Sequence, residues 1–451
     1  MFLGRLFGTD GIRGIANEQL SCEMAINIGR AAAQVLSDSM RRRPRFVVGM
    51  DTRISSGMLA YSVIAGLCSV GADVFDLGVA ATPSVAFCVG KYKAEAGIMV
   101  SASHNTFEYN GIKIFNGDGY KLPDELEEEI ERLVIEKNQS LRIVTGIDIG
   151  FTEFRESAVK DYIDNLKSTV QNSLDGLRIA VDCANGSASV TAARLFGELG
   201  AECFVLFNKP DGRNINGGCG STHPEALIEY VVEHNLDAGI AFDGDADRCL
   251  CIDEKGALID GDVIMAICAL DMKNRGKLSK NTVVGTIMTN YGFIKFCDKN
   301  GIKFVTTKVG DKFVLEQLAL EDFNFGGEQS GHIIFRDFAS TGDGQLTAVQ
   351  LLSLLRRKGC QLSELASCIK KFPQIMQNVP VPPHGKISIH TDQAIKEELE
   401  SIKTQIGDNG RLVIRASGTE PLIRVMVEHK SIKAAEAFAA QGVDIISRSI
   451  M

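Results

Sequence analysis

Three times along this chain an apolar strand gives way to a polar loop, a helical stretch, a glycine and a second apolar strand. The first copy runs FVVGMDTR, a helix near 56–69, Gly71 and ADVFDLG. The second is LRIAVDCANG, a helix near 190–199, Gly200 and AECFVLF; the third is TVVGTIMTN, a helix near 291–299, Gly301 and IKFVTT. Each glycine falls where a helix C-terminus needs a residue that accepts positive φ. The strands are apolar throughout rather than alternating, the pattern of parallel strands buried on both faces. Beyond Pro373 and NVPVPP the pattern changes to KISIH, a charged helix near 392–404, RLVIR, LIRVMVEH and a final helix. The expected fold class is α/β. It has three related α/β domains (1–155, 156–256, 257–370) with mixed, mainly parallel sheets, and a smaller C-terminal α+β domain (371–451).

Two polar interruptions stand out from this background. In GIMVSASHNTFEYNGIKIF (97–115) a strand breaks into SASHN and then resumes. A plain turn needs only a Gly or an Asn or two. This loop adds hydroxyls that can be phosphorylated or act as nucleophiles, beside an imidazole. In AFDGDADRCLCID (241–253), Asp243, Asp245 and Asp247 alternate in a loop between two apolar strands, expected to be exposed. Carboxylates so close repel by roughly 2–3 kcal/mol per pair at ~6 Å and an effective dielectric near 20. A divalent cation relieves that. The spacing opens an EF-hand consensus, but Arg248 occupies the position that needs glycine, and strands flank the loop where helices are required. Mg²⁺ suits the hard oxygen ligands and leaves positions for a phosphate oxygen.

Composition narrows the class further. Hydrophobic residues make up 45% of the 451 and charged residues 23%, enough for sizeable cores in roughly three or four domains. A net charge of −9 argues against nucleic-acid and membrane-surface partners, so an anionic ligand must be gathered by local basic clusters. The start MFLGRLFGTDGIRG has no signal-peptide pattern, and the uncharged run 77–90 is too short for a bilayer and contains Pro83. Twelve cysteines without CxxC pairs read as reduced, buried thiols of a cytoplasmic protein. The acidic run DELEEEIE (124–131) reads as a solvated helix face.

FGTDGIRG (7–14), SASHN, NGIK (110–113), DGDADR (243–248), VGDK (309–312), GGEQSGH (326–332) and RASGTEPLIRVM (415–426) occur in that order. In this ordered combination the chain resembles the α-D-phosphohexomutase superfamily over essentially its whole length, and within it the bacterial phosphoglucosamine mutases. The resemblance implies a phosphorylated Ser103, rather than Ser101, whose oxygen completes the Mg²⁺ shell of Asp243, Asp245 and Asp247. Arg13, His104 and Arg248 are then candidates to stabilise the transferring group. Lys113 matches the family's general base, a role that requires a lowered pKa, and His332 is the rival acid or base. Glu328 and Ser330 are suited to sugar hydroxyls, and Gly310 and Asp311 to orienting the pocket.

In RASGTEPLIR, Arg415, Ser417, Gly418, Thr419 and Arg424 would form a phosphate clamp. The resemblance further implies glucosamine 6-phosphate as a small-molecule substrate, isomerised to the 1-phosphate through a hexosamine 1,6-bisphosphate. Gln329, where mannose and glucose relatives commonly carry methionine, supports that choice. Phosphomannomutase or phosphoglucomutase activity and a non-catalytic sugar-phosphate binder are the alternatives. A homodimer is compatible with the reading, although no sequence signal sets the oligomeric state. The family's loop usually continues HNP; this chain has Thr106, and losing the proline is expected to loosen the loop.

Overall fold

The computed structural model describes residues 6–8, 10–37, 43–135, 143–382, 389, 391–416 and 421–450. Domain 1 carries β1 (Phe7–Gly8), β2 (Gly11–Ile15), α1 (Cys22–Leu36), β3 (Arg45–Met50), α2 (Ser56–Ser69), β4 (Asp73–Val79), α3 (Thr82–Tyr92), β5 (Ala96–Val100), β6 (Tyr109–Asn116), α4 (Asp124–Ile135) and β7 (Thr152–Phe154). Its sheet order is β1-β2-β6-β5-β3-β4-β7. Strands β5, β3, β4 and β7 run parallel; β1, β2 and β6 add antiparallel pairs at one side. Along β3 the side chains divide between two cores. Phe46 and Val48 pack with Ile28, Leu59 and Val63 of α1 and α2, while Val47 packs with Val85 and Val89 of α3. Burial on both faces is why the strand reads as an unbroken apolar run.

Helices α1 and α2 approach through glycines. A β-carbon on Gly66 would lie 2.2 Å from the Ile26 carbonyl oxygen, and one on Gly29 2.4 Å from that of Val63. Neither position has room for a side chain.

Domain 2 follows with α5 (Ala158–Ser168), β8 (Arg178–Asp182), α6 (Ala192–Glu198), β9 (Glu202–Leu206), α7 (Glu225–Glu233), β10 (Ala238–Phe242), β11 (Cys249–Asp253) and β12 (Leu258–Ile259), in sheet order β12-β11-β10-β8-β9. Domain 3 contributes α8 (Gly261–Asn274), β13 (Thr282–Thr286), α9 (Tyr291–Lys299), β14 (Lys303–Thr307), α10 (Asp311–Leu320), β15 (Phe325–Gly327), β16 (Ile333–Phe335), α11 (Gly344–Lys358) and α12 (Leu362–Ala366), with order β14-β13-β15-β16. The repeats seen in the sequence are three parallel pairs, β3/β4, β8/β9 and β13/β14. Gly71, Gly200 and Gly301 have φ of 94°, 94° and 60° at the ends of the connecting helices.

The C-terminal region holds β17 (Gln374–Pro380), α13 (Gln393–Ile406), β18 (Gly410–Ala416), β19 (Leu422–His429) and α14 (Ile432–Ile450). Its sheet, β17-β19-β18, is wholly antiparallel. The fold is thus three α/β domains plus a smaller α+β one. The chain divides into two compact units, Met1–Met288 with Gly301–Cys368, and Thr289–Asn300 with Ile369–Met451. Helix α9, part of the third sequence repeat, therefore groups with the C-terminal residues. Buried Glu428 is one reason: it accepts the Tyr291 N–H at 2.9 Å, Asn290 Nδ2 at 3.2 Å and Arg411 Nε at 2.6 Å.

The acidic run on α4 is less solvated than its composition suggests, because Glu127 is buried and Lys312 Nζ lies 2.7 Å from Asp124 and 3.2 Å from Glu127. All twelve cysteines are free thiols, seven of them buried. Among the described residues no helix is long and apolar enough to cross a membrane.

Candidate active site

SASHN is the connection between β5 and β6, which pair antiparallel with Val100 opposite Ile112. The polar break therefore sits at a strand reversal, beside the sheet's buried centre. Ser103 is fully buried with φ of 52°, a left-handed conformation uncommon outside glycine. Its Oγ donates to Asp243 Oδ2 at 2.5 Å and lies 3.5 Å from His104 Nδ1. Asn216 of domain 2 donates Nδ2 to the Ser103 carbonyl at 2.9 Å. At Gly244 a β-carbon would come within 2.6 Å of that same carbonyl, so the aspartate loop can meet the serine loop only through glycine.

The aspartate loop joins antiparallel β10 and β11, and Asp243, Asp245 and Asp247 are all buried. The expected exposure of this loop is wrong. Domain 1 covers it, with Thr82 at the start of α3 donating Oγ1 to Asp245 Oδ2 at 2.5 Å and Lys113 Nζ lying 2.8 Å from the same oxygen. One carboxylate oxygen from each aspartate falls within 4.8 Å of the others. Asp245 Oδ1 and Asp247 Oδ1 are buried without a hydrogen-bond partner among the described residues. Burial and the other two carboxylates push Asp243 well above the usual range. Burial alone would also raise Asp247, but Lys113 and His332 pull it well below. Three hard oxygen donors, two of them with orphaned atoms, fit a divalent metal ion.

A cavity of about 440 Å³ opens beside this triad. Its walls include Arg13, His104, Arg248, Glu328 and His332. Arg13 Nη1 donates to Asn105 Oδ1 at 3.0 Å and its Nη2 to Asp10. Arg248 Nε lies 3.8 Å from Asp247 Oδ1. Burial, with Arg248 and Arg13 nearby, lowers His104 to about 4, so its imidazole is neutral at pH 7. Burial would lower His332 too, but Asp311 and Asp247, 3.4 and 3.6 Å away, raise it.

Lys113 is 2% exposed, with Asp10, Asp245 and Asp247 at 3.0, 2.8 and 3.3 Å; Asp10 and Asp247 line the cavity. Burial disfavours its charge, yet these carboxylates raise its pKa well above the ordinary lysine value. The lowered pKa that a lysine base requires is not present in this arrangement; the carboxylates outweigh desolvation.

The remaining predicted residues separate into two groups. Glu328 Oε1 accepts the Gly310 N–H at 3.0 Å, and Asp311 holds His332 and Lys121, so these three do shape the cavity. Ser330 is half-buried and is absent from the cavity wall. Gln329 donates to Asp260, the N-cap of α8, at 3.2 Å, which is a packing role and weakens its use as a substrate signal. Arg415 and Arg424 lie opposite each other on β18 and β19, in the C-terminal unit. Ser417, Gly418 and Thr419 lie outside the described residues.

Several participants escaped the sequence reading. Asp10 sits inside FGTDGIRG and was detectable there; it is drawn well below its usual range by Lys113, Lys121 and Arg13 against the effect of burial. Asp51 and Arg53 occupy the polar loop of the first repeat, to which the sequence pattern assigns no chemistry. Asn216, in NINGGCG, follows no periodicity that could have marked it.

The chain is similar to known proteins along nearly its whole length. The family descriptions Phosphoglucomutase/phosphomannomutase alpha/beta/alpha domains I, II and III match residues 4–141, 160–256 and 260–372, and the C-terminal domain matches 376–445. The chain is 51% identical over 448 residues to a phosphoglucosamine mutase of Caldanaerobacter subterraneus, covering 99% of this chain and 100% of that one. It is likewise 51% identical to a phosphoglucosamine mutase of Clostridium acetobutylicum, covering 94% and 95%. Its fold matches a phosphoglucomutase/phosphomannomutase family protein from Burkholderia thailandensis with a TM-score of 0.85 at 24% identity, over 100% of this chain and 99% of that one. With a buried serine against an aspartate triad and these likenesses along nearly its full length, the chain belongs to the α-D-phosphohexomutases, among the phosphoglucosamine mutases, and is an isomerase.

Proposed function

We propose that this enzyme interconverts glucosamine 6-phosphate and glucosamine 1-phosphate through a phosphorylated Ser103 and a hexosamine 1,6-bisphosphate, in the cytoplasm. The observation that carries this is the buried Ser103 Oγ at 2.5 Å from Asp243. In the first half-reaction the sugar's free 1-hydroxyl forms a bond to phosphorus as the Ser103 Oγ–P bond breaks, and the hydroxyl proton passes to a base. The bisphosphate turns over. In the second half-reaction Ser103 Oγ takes the 6-phosphoryl group and the released sugar oxygen gains a proton. Mg²⁺, held by Asp243, Asp245 and Asp247, would neutralise charge on the phosphoryl oxygens.

Arg13 and Arg248 present guanidinium charge to the cavity where the transferring group must pass. His332 lines that cavity and Lys113 lies 3.3 Å from Asp247 in its wall, so these two would exchange the sugar's proton, Lys113 as the base once a cation on Asp245 and Asp247 offsets the carboxylates that raise its pKa. Glu328, with Ser330 nearby in the same loop, would receive sugar hydroxyls. Arg415 and Arg424 would supply a phosphate clamp with Ser417, Gly418 and Thr419. Like charges directly opposed across an antiparallel pair are unfavourable, and an anionic ligand between Arg415 and Arg424 would relieve that.

The test is a coupled assay comparing glucosamine, mannose and glucose phosphates, with intact-mass analysis of the protein. Preferred turnover of the glucosamine phosphate and one added phosphate on Ser103 are expected. A preference for mannose or glucose phosphate would overturn the substrate, and a protein that never carries phosphate would overturn the mechanism.

A further inference from the structure

The serine loop has a second layer of support, built from side chains that reach neither the cavity nor the metal triad. Arg53 is 3% exposed, and all five of its N–H donors are engaged. Nε bonds Asp51 Oδ2 at 2.7 Å. Nη2 bonds the carbonyls of Ser103 and Asn105 at 2.8 and 2.9 Å, and Nη1 bonds those of Thr106 and, at 3.1 Å, Tyr109. One guanidinium thus collects four carbonyls from the seven residues 103–109. Ser101 completes the arrangement from the other side. Its Oγ donates to Asp51 Oδ2 at 2.7 Å and accepts the Ser103 N–H at 2.9 Å. Both backbone polar groups of Ser103 are therefore tied, directly or through Ser101, to the Asp51–Arg53 pair.

We propose that Asp51, Arg53 and Ser101 form a positioning unit that holds the Ser103 backbone in its left-handed conformation and so sets the rate of phosphoryl transfer without touching the substrate. This rests on Ser103 carrying the phosphoryl group. A non-glycine residue at positive φ is strained and persists only where its surroundings over-determine it. Releasing the N–H or the carbonyl of Ser103 lets the backbone relax toward negative φ, which swings Oγ away from Asp243. In-line transfer is sensitive to such displacement, with misplacement by about 1 Å costing up to about a hundredfold. The arrangement also explains both serines of SASHN: the second carries the chemistry and the first carries the second. Arg53 also grips the carbonyl of Thr106, the residue that stands where the family's proline would.

The experiment compares wild type, Ser101→Ala, Ser101→Thr and Asn216→Ala after priming with glucose 1,6-bisphosphate. It measures kcat per phosphorylated chain from intact mass, KM for glucosamine 6-phosphate, and thermal melting. Ser101→Ala should lose about ten- to a hundredfold in kcat per phosphorylated chain, with KM within about twofold and melting little changed. Ser101→Thr restores the hydroxyl and should recover to within about threefold. Asn216→Ala removes one of two donors to the Ser103 carbonyl and should lower kcat by a few-fold at unchanged KM, which keeps the test open if Ser101→Ala does not fold. A folded Ser101→Ala with unchanged kcat per phosphorylated chain, a loss confined to KM, or equal losses in the Ala and Thr variants would overturn the positioning unit alone. A wild type that never carries phosphate would overturn it together with the function on which it rests.

Discussion

Asp245 shows how closely the carboxylate triad and the packing around it are joined, since one of its oxygens already meets Thr82 and Lys113 while the other has no hydrogen-bond partner among the described residues. Asp245→Asn retains an acceptor for Thr82 and relieves repulsion within the triad, which offsets the weakened contact to Lys113. Melting should therefore shift by only a few degrees, while turnover falls about a hundredfold or more, beyond the usual cost of losing a supporting residue around a metal. Near-normal turnover at limiting Mg²⁺ would refute the metal assignment.

A second residue contributes a pH-dependent share of stability. Burial raises Asp343 to about 6, although the Leu346 N–H and the Tyr162 hydroxyl, each at 2.9 Å, favour its charge. A folded pKa above the unfolded value means the stabilising contribution is complete below about pH 4 and lost as pH rises through about 6. Asp343→Asn keeps an acceptor for both donors and has no charge to desolvate. It should melt near wild type at pH 4 and above wild type at pH 8, by up to about 3 kcal/mol. Equal shifts at both pH values would show that burial of the charge is not the cause.

Among the elements, the parallel pairs were legible because their strands are apolar on both faces and their helices end in glycine. The antiparallel partners were not. GIKIF, now β6, reads like the parallel strands around it, and only the short connection from β5 forces it to reverse. Packing between helices was equally hidden, because GMLAYSVIAGLCS carries a wide apolar surface with nothing to single out Gly66 as the point of closest approach. Gly66→Ala supplies a test. A β-carbon 2.2 Å from the Ile26 carbonyl must push α1 and α2 apart, at about 1–3 kcal/mol. Urea unfolding should show that loss, with kcat of the folded fraction kept within about twofold. An unchanged midpoint would mean the helices separate freely. The site's chemical groups were readable from short motifs, whereas its supports, Arg53 and Asn216, came into reach only through folding.

For the molecule as a whole, a net charge of −9 leaves anion capture to a few clustered cations. Arg415 and Arg424 are opposed on β18 and β19, where burial with Arg424 alongside lowers the pKa of Arg415, and the proposed clamp rests on them. Arg424→Ala should weaken glucosamine 6-phosphate and glucosamine 1-phosphate binding by similar factors, about 1.5–3 kcal/mol for a charge-assisted contact, and leave Ser103 phosphorylation intact. Calorimetric titration of both ligands checks this; unchanged affinity for both would remove the clamp, and loss for one alone would remove its indifference to which end of the sugar it holds. The distribution of thiols offers another view of the two units. Eleven of the twelve cysteines lie in the larger one, and the smaller has only Cys297, buried on α9 and raised by that burial to about 12. A thiol so seldom ionised reacts with an alkylating reagent only when its surroundings open. The rate at which Cys297 is alkylated is therefore a clock for the opening of the C-terminal unit, already built into the chain and readable by peptide mass without any added label.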